Sequence, residues 1–264
     1  MNSQIYLNIS VRLILTQPYL SARGSEENCQ KIEALIGSVK NEILPDDILL
    51  LPEHFTFNND PGVFDDFVKE LAQNVGCIVI GGSHHRKFSG KQINYGLISD
   101  GKGRIMGEYT KLRPYFNEKE LVSPGDRIGE FVINGKNILI LICADFWYSD
   151  ILLKLKNQPD LILVPALSVS RKSGPEYSRS LWKHFAIQRA YEYGVFVGIS
   201  DWNDGLFTTG YRTCGVGGFA DPTQIDPEKL FKQISDKNIS FFDLDFDELE
   251  KFRTDRKMRG FFWK

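Results

Sequence analysis

The feature that most constrains this chain is a succession of short apolar runs that read as buried strands, separated over much of its length by segments with helical spacing. "VRLILTQ", "DDILLLPE", "CIVIGGS", "NILILICAD", "LILVPA" and "VFVGIS" each carry an apolar stretch of strand length, too short for an ordinary helix. Between them, Asn28 to Lys40 sets Ile32, Leu35, Ile36 and Val39 at helical spacing, and "GVFDDFVKELAQNVG" repeats the pattern and stops at Gly76. Further helices are expected near Tyr148–Asn157 and Tyr177–Tyr193, with "ISFFDLD" as a late strand and "FDELEKFRTDR" as a closing helix. "INYGLISD" and "RIMGEYT" follow each other without a helix, joined by a hairpin signal over Asp100 to Gly103. Crossovers and hairpins together favour mixed sheets, each covered by helices on one face and packed as layers. No repeat or low-complexity linker divides the 264 residues, so a single domain over 1–264 with an ample core is expected.

The formal charge of −2 and the lack of a long Lys/Arg block argue against a nucleic-acid partner. "MNSQIYLNISVRLILTQ" alternates apolar and polar residues and reads as a strand, not a signal peptide. No apolar run approaches the length of a membrane span, so no membrane partner is expected and the cytoplasm is the expected location. Cys29, Cys77, Cys143 and Cys214 lie far apart with no C-x-x-C, as suits reduced thiols. His54, His84, His85 and His184 form no H-E-x-x-H pattern, so neither a structural nor a catalytic metal is expected, and no cofactor. "GVGGFA" at 215–220 resembles a dinucleotide fingerprint, but Asp221-Pro222 follows where a helix should open, and a Gly-rich turn is the better reading.

Three strand ends carry groups of complementary chemistry. Glu53 stands where "DDILLLPE" opens into a loop; by itself such a carboxylate reads as a solvated loop residue. Cys143 ends the most apolar strand, where α/β proteins expose reactive groups, whereas Cys77 reads as an inert small hydrophobe. A thiol nucleophile needs a base and an oxyanion stabiliser. Nothing in the sequence pairs His54 or His184 with Cys143, and a papain-like signature is absent. Lys111, just past "RIMGEYT", adds an ammonium at a third strand–loop junction.

Glu53, Lys111 and Cys143, in that order, resemble the nitrilase superfamily of carbon–nitrogen hydrolases. The resemblance runs through "LPE" at 51–53, "GGS" at 81–83, "YTK" at 109–111, and Glu118 six residues before Pro124 in "ELVSPGD". It continues through "LICAD" at 141–145, "VPA" at 164–166, Trp182 with "QRAYEYGVFV", and the terminal "FFDLDFDELEKFRTDR". It implies a single-domain α-β-β-α sandwich of two mixed sheets with helices on the outer faces. It also implies a catalytic set of Glu53 as base, Cys143 as nucleophile, Lys111 as oxyanion stabiliser and Glu118 as the second glutamate that holds Lys111. Glu120 is expected to be an ordinary exposed carboxylate. Trp147, Phe146, Tyr115 and Ala144 are the candidate substrate contacts, the last through its backbone N–H.

The implied partner is a small linear amide or carbamoyl compound, and a homodimer or larger homo-oligomer is implied by resemblance alone. Cys143-Ala144-Asp145 resembles amidase and carbamoylase branches more than nitrilases, which commonly have Cys-Trp-Glu. Tyr148-Ser149-Asp150 stands where the family often has Phe-Pro-Glu, and Arg113 where it often has a histidine after Lys-x. With two aromatic residues beside Cys143 and Asp150 nearby, neutral or amine-bearing substrates are expected to outperform carboxylates; Arg113 or Arg171 would be the anchor in the opposite case. Nitrile hydrolysis, thiol acyl transfer and a catalytically idle interaction domain are the competing readings.

Overall fold

The computed structural model describes residues 11–57 and 60–264. The N-terminal part of the strand expected over 1–17 lies outside the described residues; the remainder forms β1 (Arg12–Thr16). In chain order there follow α1 (Ser25–Gly37), β2 (Ile48–Leu50), α2 (Pro61–Val75), β3 (Ile78–Ile80), β4 (His84–Phe88), β5 (Lys91–Ser99), β6 (Ile105–Thr110) and the short α3 (Glu118–Leu121). Next come β7 (Gly129–Ile133), β8 (Lys136–Ile140), α4 (Ser149–Leu153), β9 (Leu161–Pro165), β10 (Val169–Ser170), α5 (Glu176–Tyr193) and β11 (Phe196–Ser200). The remainder is β12 (Gly205–Thr208), β13 (Tyr211–Thr213), β14 (Gly218–Ala220), β15 (Phe231–Gln233), β16 (Ile239–Asp243) and α6 (Phe246–Met258).

Two mixed sheets form the middle of the molecule. One runs β16-β1-β2-β3-β5-β4 with β6 also paired to β5, and the other β15-β14-β11-β9-β8-β7. β1, β2 and β3 are parallel, as are β8, β9 and β11, which is why apolar runs here alternate with helices. Side chains along β1 to β3 divide with period two. Leu13, Leu15, Ile48, Leu50, Ile78 and Ile80 join the core shared with the second sheet. Ile14, Leu49 and Val79 instead meet Ile32 and Ile36 of α1 and Phe64 and Val68 of α2. Helix α5 brings Trp182, Ala186 and Ala190 onto the second sheet. The result is an α-β-β-α sandwich. Gly198 permits the close approach of the sheets, since a Cβ there would lie 2.4 Å from Leu13 Cδ2.

Local chemistry sets the boundaries. Helix α2 starts at Asp60, whose side chain accepts from Gly62 N at 2.7 Å, with Pro61 in the first turn, and it ends at Gly76 with φ 72°. The helix expected near Tyr148–Asn157 is only Ser149–Leu153; it ends at Lys154, and the rest of the expected span is irregular. Strands β4 and β7 are additions to the expected order. "HHRKF" in β4 shows no apolar alternation, and "GEFVI" in β7 is identified by its turn, Asn134-Gly135, where both residues have positive φ. A third, small antiparallel sheet, β10-β13-β12, adds to the two expected ones. The Gly-rich 215–220 stretch turns at Gly215 and then enters β14, with no helix behind it. Among the described residues, no helix is long and apolar enough to cross a membrane.

Candidate active site

The ends of β2, β6 and β8 deliver three of the candidate residues. Past β2, Leu51 N still bonds Ile80 O at 2.9 Å, and Glu53 is then held by its own backbone. Glu53 N donates to Ala166 O (3.2 Å), its carbonyl accepts from Trp202 Nε1 (2.7 Å), and it forms a single parallel bridge to Ser83. Lys111 directly follows β6; its N donates to Asn94 O at 2.9 Å and its O accepts from Gly125 N at 2.8 Å. Both side chains are buried, at 2% and 3% exposure. Burial of this kind is tolerated only when the charges are paired and hydrogen-bonded.

That condition is met. Lys111 Nζ lies 2.8 Å from Glu53 Oε1 and 2.7 Å from Glu118 Oε2, so one ammonium bridges two carboxylates. Asn94, fully buried on β5, donates from Nδ2 to Glu53 Oε1 at 3.0 Å and to Glu118 Oε1 at 2.8 Å. Burial works against the Lys111 charge, but Glu53, then Cys143 and Glu118, push its pKa above the ordinary lysine value. Burial likewise opposes ionisation of Glu118, yet His54 and His85 beside its Oε1 and the Lys111 charge hold its carboxyl well below the usual range. Glu118 opens α3 and also accepts from Tyr115 N at 3.1 Å. Glu120, two residues on, is exposed.

Cys143 begins the 3-10 turn after β8 with φ 46°, a left-handed conformation that a non-glycine residue adopts only under constraint. The constraint is Asp145, 1% exposed, which accepts from Leu112 N at 3.0 Å and Arg113 N at 2.8 Å. The turn bearing the thiol is thus tied to the loop bearing Lys111. Burial raises the Asp145 pKa to about 6, against those same hydrogen bonds. Cys143 Sγ faces Leu167 O at 3.8 Å, and the next residue, Ser168, is braced by Asp201, which accepts from Ser168 N at 2.9 Å and Val216 N at 2.9 Å. Burial, then the charge of Glu53, push the Cys143 thiol well above its ordinary pKa, with Lys111 opposing. Such a thiol needs a base to become a nucleophile.

Cys143 lines a cavity of about 590 Å³ together with Ala144, Trp147 and Tyr115. Trp147 is held by Phe185 (4.6 Å between ring centroids) and Trp182 (5.5 Å). Phe146 is not a lining residue; it is 1% exposed and stacks on Trp182 from the core, because the 3-10 turn directs alternate neighbours of Cys143 to different sides. Among the described residues, the charged ones that line the cavity are Arg171 and Lys172, and no carboxylate lines it. Arg171 donates from Nε to Tyr211 Oη at 2.7 Å and lies 5.2 Å from the Phe116 ring centroid. Asp150 does not line the cavity but is paired with Arg113 and, at 3.1 Å, with Lys154.

The histidines fall differently from any Cys-His arrangement. His184 on α5 bonds Ser180 O and does not line the cavity. His54 and His85, which sequence reasoning did not place in the site, stand against Glu118. Their signal is β4 pairing with β5, which sets His85 opposite Asn94. If Glu118 positions Lys111, Glu118→Gln lowers kcat by about a hundredfold, the cost of misplacing a catalytic group by an ångström. Glu120→Gln leaves it essentially unchanged. Steady-state kinetics on the two variants checks the register of this loop; equal effects contradict it.

A carbon–nitrogen hydrolase family model matches residues 15–205 of the chain. No curated protein matches the sequence. Among solved structures, a branch-10 member of the nitrilase superfamily from Saccharomyces cerevisiae is 20% identical, with a TM-score of 0.77 over 93% of this chain and 94% of that one. A mutant amidase from Nesterenkonia sp. AN1 is 17% identical, with a TM-score of 0.70 over 94% and 99%. A carbon–nitrogen hydrolase from Helicobacter pylori is 17% identical, with a TM-score of 0.74 over 92% of each chain. At these identities the structural likeness concerns the fold.

Proposed function

The chain belongs to the carbon–nitrogen hydrolase family, and from that premise we propose that it hydrolyses a small linear amide or N-carbamoyl compound through a thioester on Cys143. The observation that carries this reading is the buried Glu53–Lys111–Glu118 array together with the Cys143 thiol, which opens onto a cavity. In the Nesterenkonia mutant amidase the active-site cysteine takes part in a Michael addition to acrylamide, so sulfur is a nucleophile in that protein; here Cys143 is asked to attack a carbonyl carbon instead.

Glu53 takes the thiol proton, and the sulfur attacks the carbonyl carbon. The oxyanion that forms is offset by the Lys111 ammonium and the Ala144 N–H, groups already in place before reaction. Collapse breaks the C–N bond, and the leaving nitrogen takes the proton back from Glu53. Water then gives a proton to Glu53 and attacks the thioester carbon; the thiol leaves with that proton. Lys111 cannot easily act as the acid itself, because its two carboxylates hold its proton.

The cavity also bears on substrate charge. The expected preference for neutral or amine-bearing substrates rests on Trp147, Phe146 and Asp150; of these only Trp147 lines the cavity, while Phe146 packs in the core and Asp150 is paired with Arg113 and Lys154. With Arg171 and Lys172 as the charged lining, a distal carboxylate is the better complement. Among amides matched in length and ending in ammonium, methyl or carboxylate, the carboxylate series is expected to show the highest kcat/KM. Arg171→Ala should reduce that preference by about tenfold, within the worth of a hydrogen bond to a charged group. Ammonia release followed together with intact mass tests the reaction: a transient acyl adduct on Cys143 is expected. A panel of amides, carbamoyl amines and nitriles giving neither product nor adduct contradicts the proposal.

A further inference from the structure

Two imidazoles that the proposed hydrolysis does not use converge on one oxygen of Glu118. His85, at the start of β4, places Nε2 3.1 Å from Glu118 Oε1. His54, held at φ 56° just after Glu53, places Nε2 3.9 Å from the same oxygen. The rings meet edge to face with centroids 4.3 Å apart, and one ligand atom from each of the three residues lies within 4.8 Å of the others. Ligands on a tetrahedral zinc stand roughly 3.4 Å apart for bonds of about 2.0–2.1 Å. Closing the set around an ion is therefore a matter of side-chain adjustment.

We propose that His54, His85 and Glu118 form a binding site for a divalent transition ion of the zinc class, and that its occupation reversibly inhibits the hydrolase. Two imidazoles and one carboxylate are a donor set suited to Zn²⁺ or Co²⁺, with water as the fourth ligand. Two neighbours adjust to it: Asn94 Nδ2 lies 3.3 Å from His54 Nε2, a contact the ion displaces, and the Lys111 ammonium stands 2.7 Å from Glu118 Oε2. Lys111 holds Glu118 through Oε2, leaving Oε1 to the imidazoles. Asn94 Nδ2 takes one of the two lone pairs of Oε1, and the other is available. Glu53 Oε1, 3.6 Å from His54 Nε2, adds negative charge beside the ion.

The location defines how inhibition acts. None of the three ligands lines the substrate cavity, and the His85 side chain is 28% exposed. An ion there competes with Lys111 for Glu118 and makes Glu53 a weaker proton acceptor. It lowers kcat and leaves KM unchanged. The inhibitory part rests on the hydrolysis proposed above; the binding part does not.

Binding is tested in full-length Cys143→Ala protein, where the thiol cannot capture the metal. Titration with Zn²⁺ against a chromophoric chelator is expected to show one equivalent bound. Adding His85→Ala, or separately His54→Gln, weakens binding by at least about tenfold, as loss of a metal-supporting group does. Circular dichroism verifies folding of each variant, and Co²⁺ in place of Zn²⁺ gives the visible bands of a low-coordinate site that disappear with His85→Ala. In the active enzyme, Zn²⁺ depresses kcat and chelation restores it. Unchanged Zn²⁺ affinity in both histidine variants, or loss of binding on Cys143→Ala alone, overturns the site. Inhibition that substrate relieves by competition overturns the stated mode of action.

Discussion

Cys143→Ala is expected to reduce hydrolysis by about three to six powers of ten, the loss typical when one member of a catalytic unit is removed. The thiol lies in the cavity wall, where both Glu53 and Lys111 act on it electrostatically. The fold should tolerate the change. Alanine at φ 46° meets the same backbone constraint as cysteine, and the tie from Asp145 to Leu112 and Arg113 is untouched. The Lys111 pairs with Glu53 and Glu118 also persist. Cys77→Ala is the control: that thiol is fully buried between β3 and the α1–α2 face, with its pKa pushed up to about 12 by burial, and activity per folded molecule should stay near wild type. Purified variants assayed for product, with thermal melts alongside, check both. Substantial turnover by folded Cys143→Ala protein would remove the thioester mechanism.

The architecture is legible because a strand buried on both faces reads as a continuous apolar run, set between segments with helical spacing. Leu13, Ile14 and Leu15 show it, with successive side chains entering different cores. It failed where a strand lies at an edge. β4 contributes polar residues that are mostly part-exposed, so its pattern contains no signal, and its pairing with β5 is what carries His85 to Glu118. The site divides along the same line. Glu53, Lys111 and Cys143 stand at strand ends, and the order of short motifs around them fixes their register in sequence. Side-chain direction was not available from that order: Phe146 and Trp147 are neighbours, yet one stacks in the core and the other lines the cavity. Ion pairing was not available either. Asp150 follows Cys143 closely in sequence, yet its partner is Arg113, thirty-seven positions away.

Glu53→Gln should separate the two consequences of that carboxylate. Gln keeps the shape and an oxygen that can accept from Lys111 and Asn94, while Lys111 retains Glu118 as its counter-charge, so the buried array stays paired. Truncation to alanine would instead leave polar partners unsatisfied in the interior, a change that typically costs about 3–5 kcal/mol for a buried ion pair. A neutral amide cannot accept a proton, so both the acylation and the hydrolysis step lose their base, and kcat/KM should fall by about a thousandfold or more. The thiol is expected to respond in the opposite sense. Burial and then the negative charge of Glu53 raise the Cys143 pKa, whereas Lys111 lowers it. Removing Glu53 deletes a raising influence and leaves the lowering one, so thiolate forms at lower pH in the variant than in the wild type. Ultraviolet thiolate absorbance against pH, with Cys143→Ala as the blank, measures this directly, and the rate of alkylation by iodoacetamide should rise at neutral pH in step with it. A variant that turns over slowly and yet alkylates faster fits a carboxylate that is base and electrostatic brake together. A thiol pKa unchanged or raised by Glu53→Gln would mean that Glu53 does not govern the nucleophile, and the assignment of the base would have to move elsewhere.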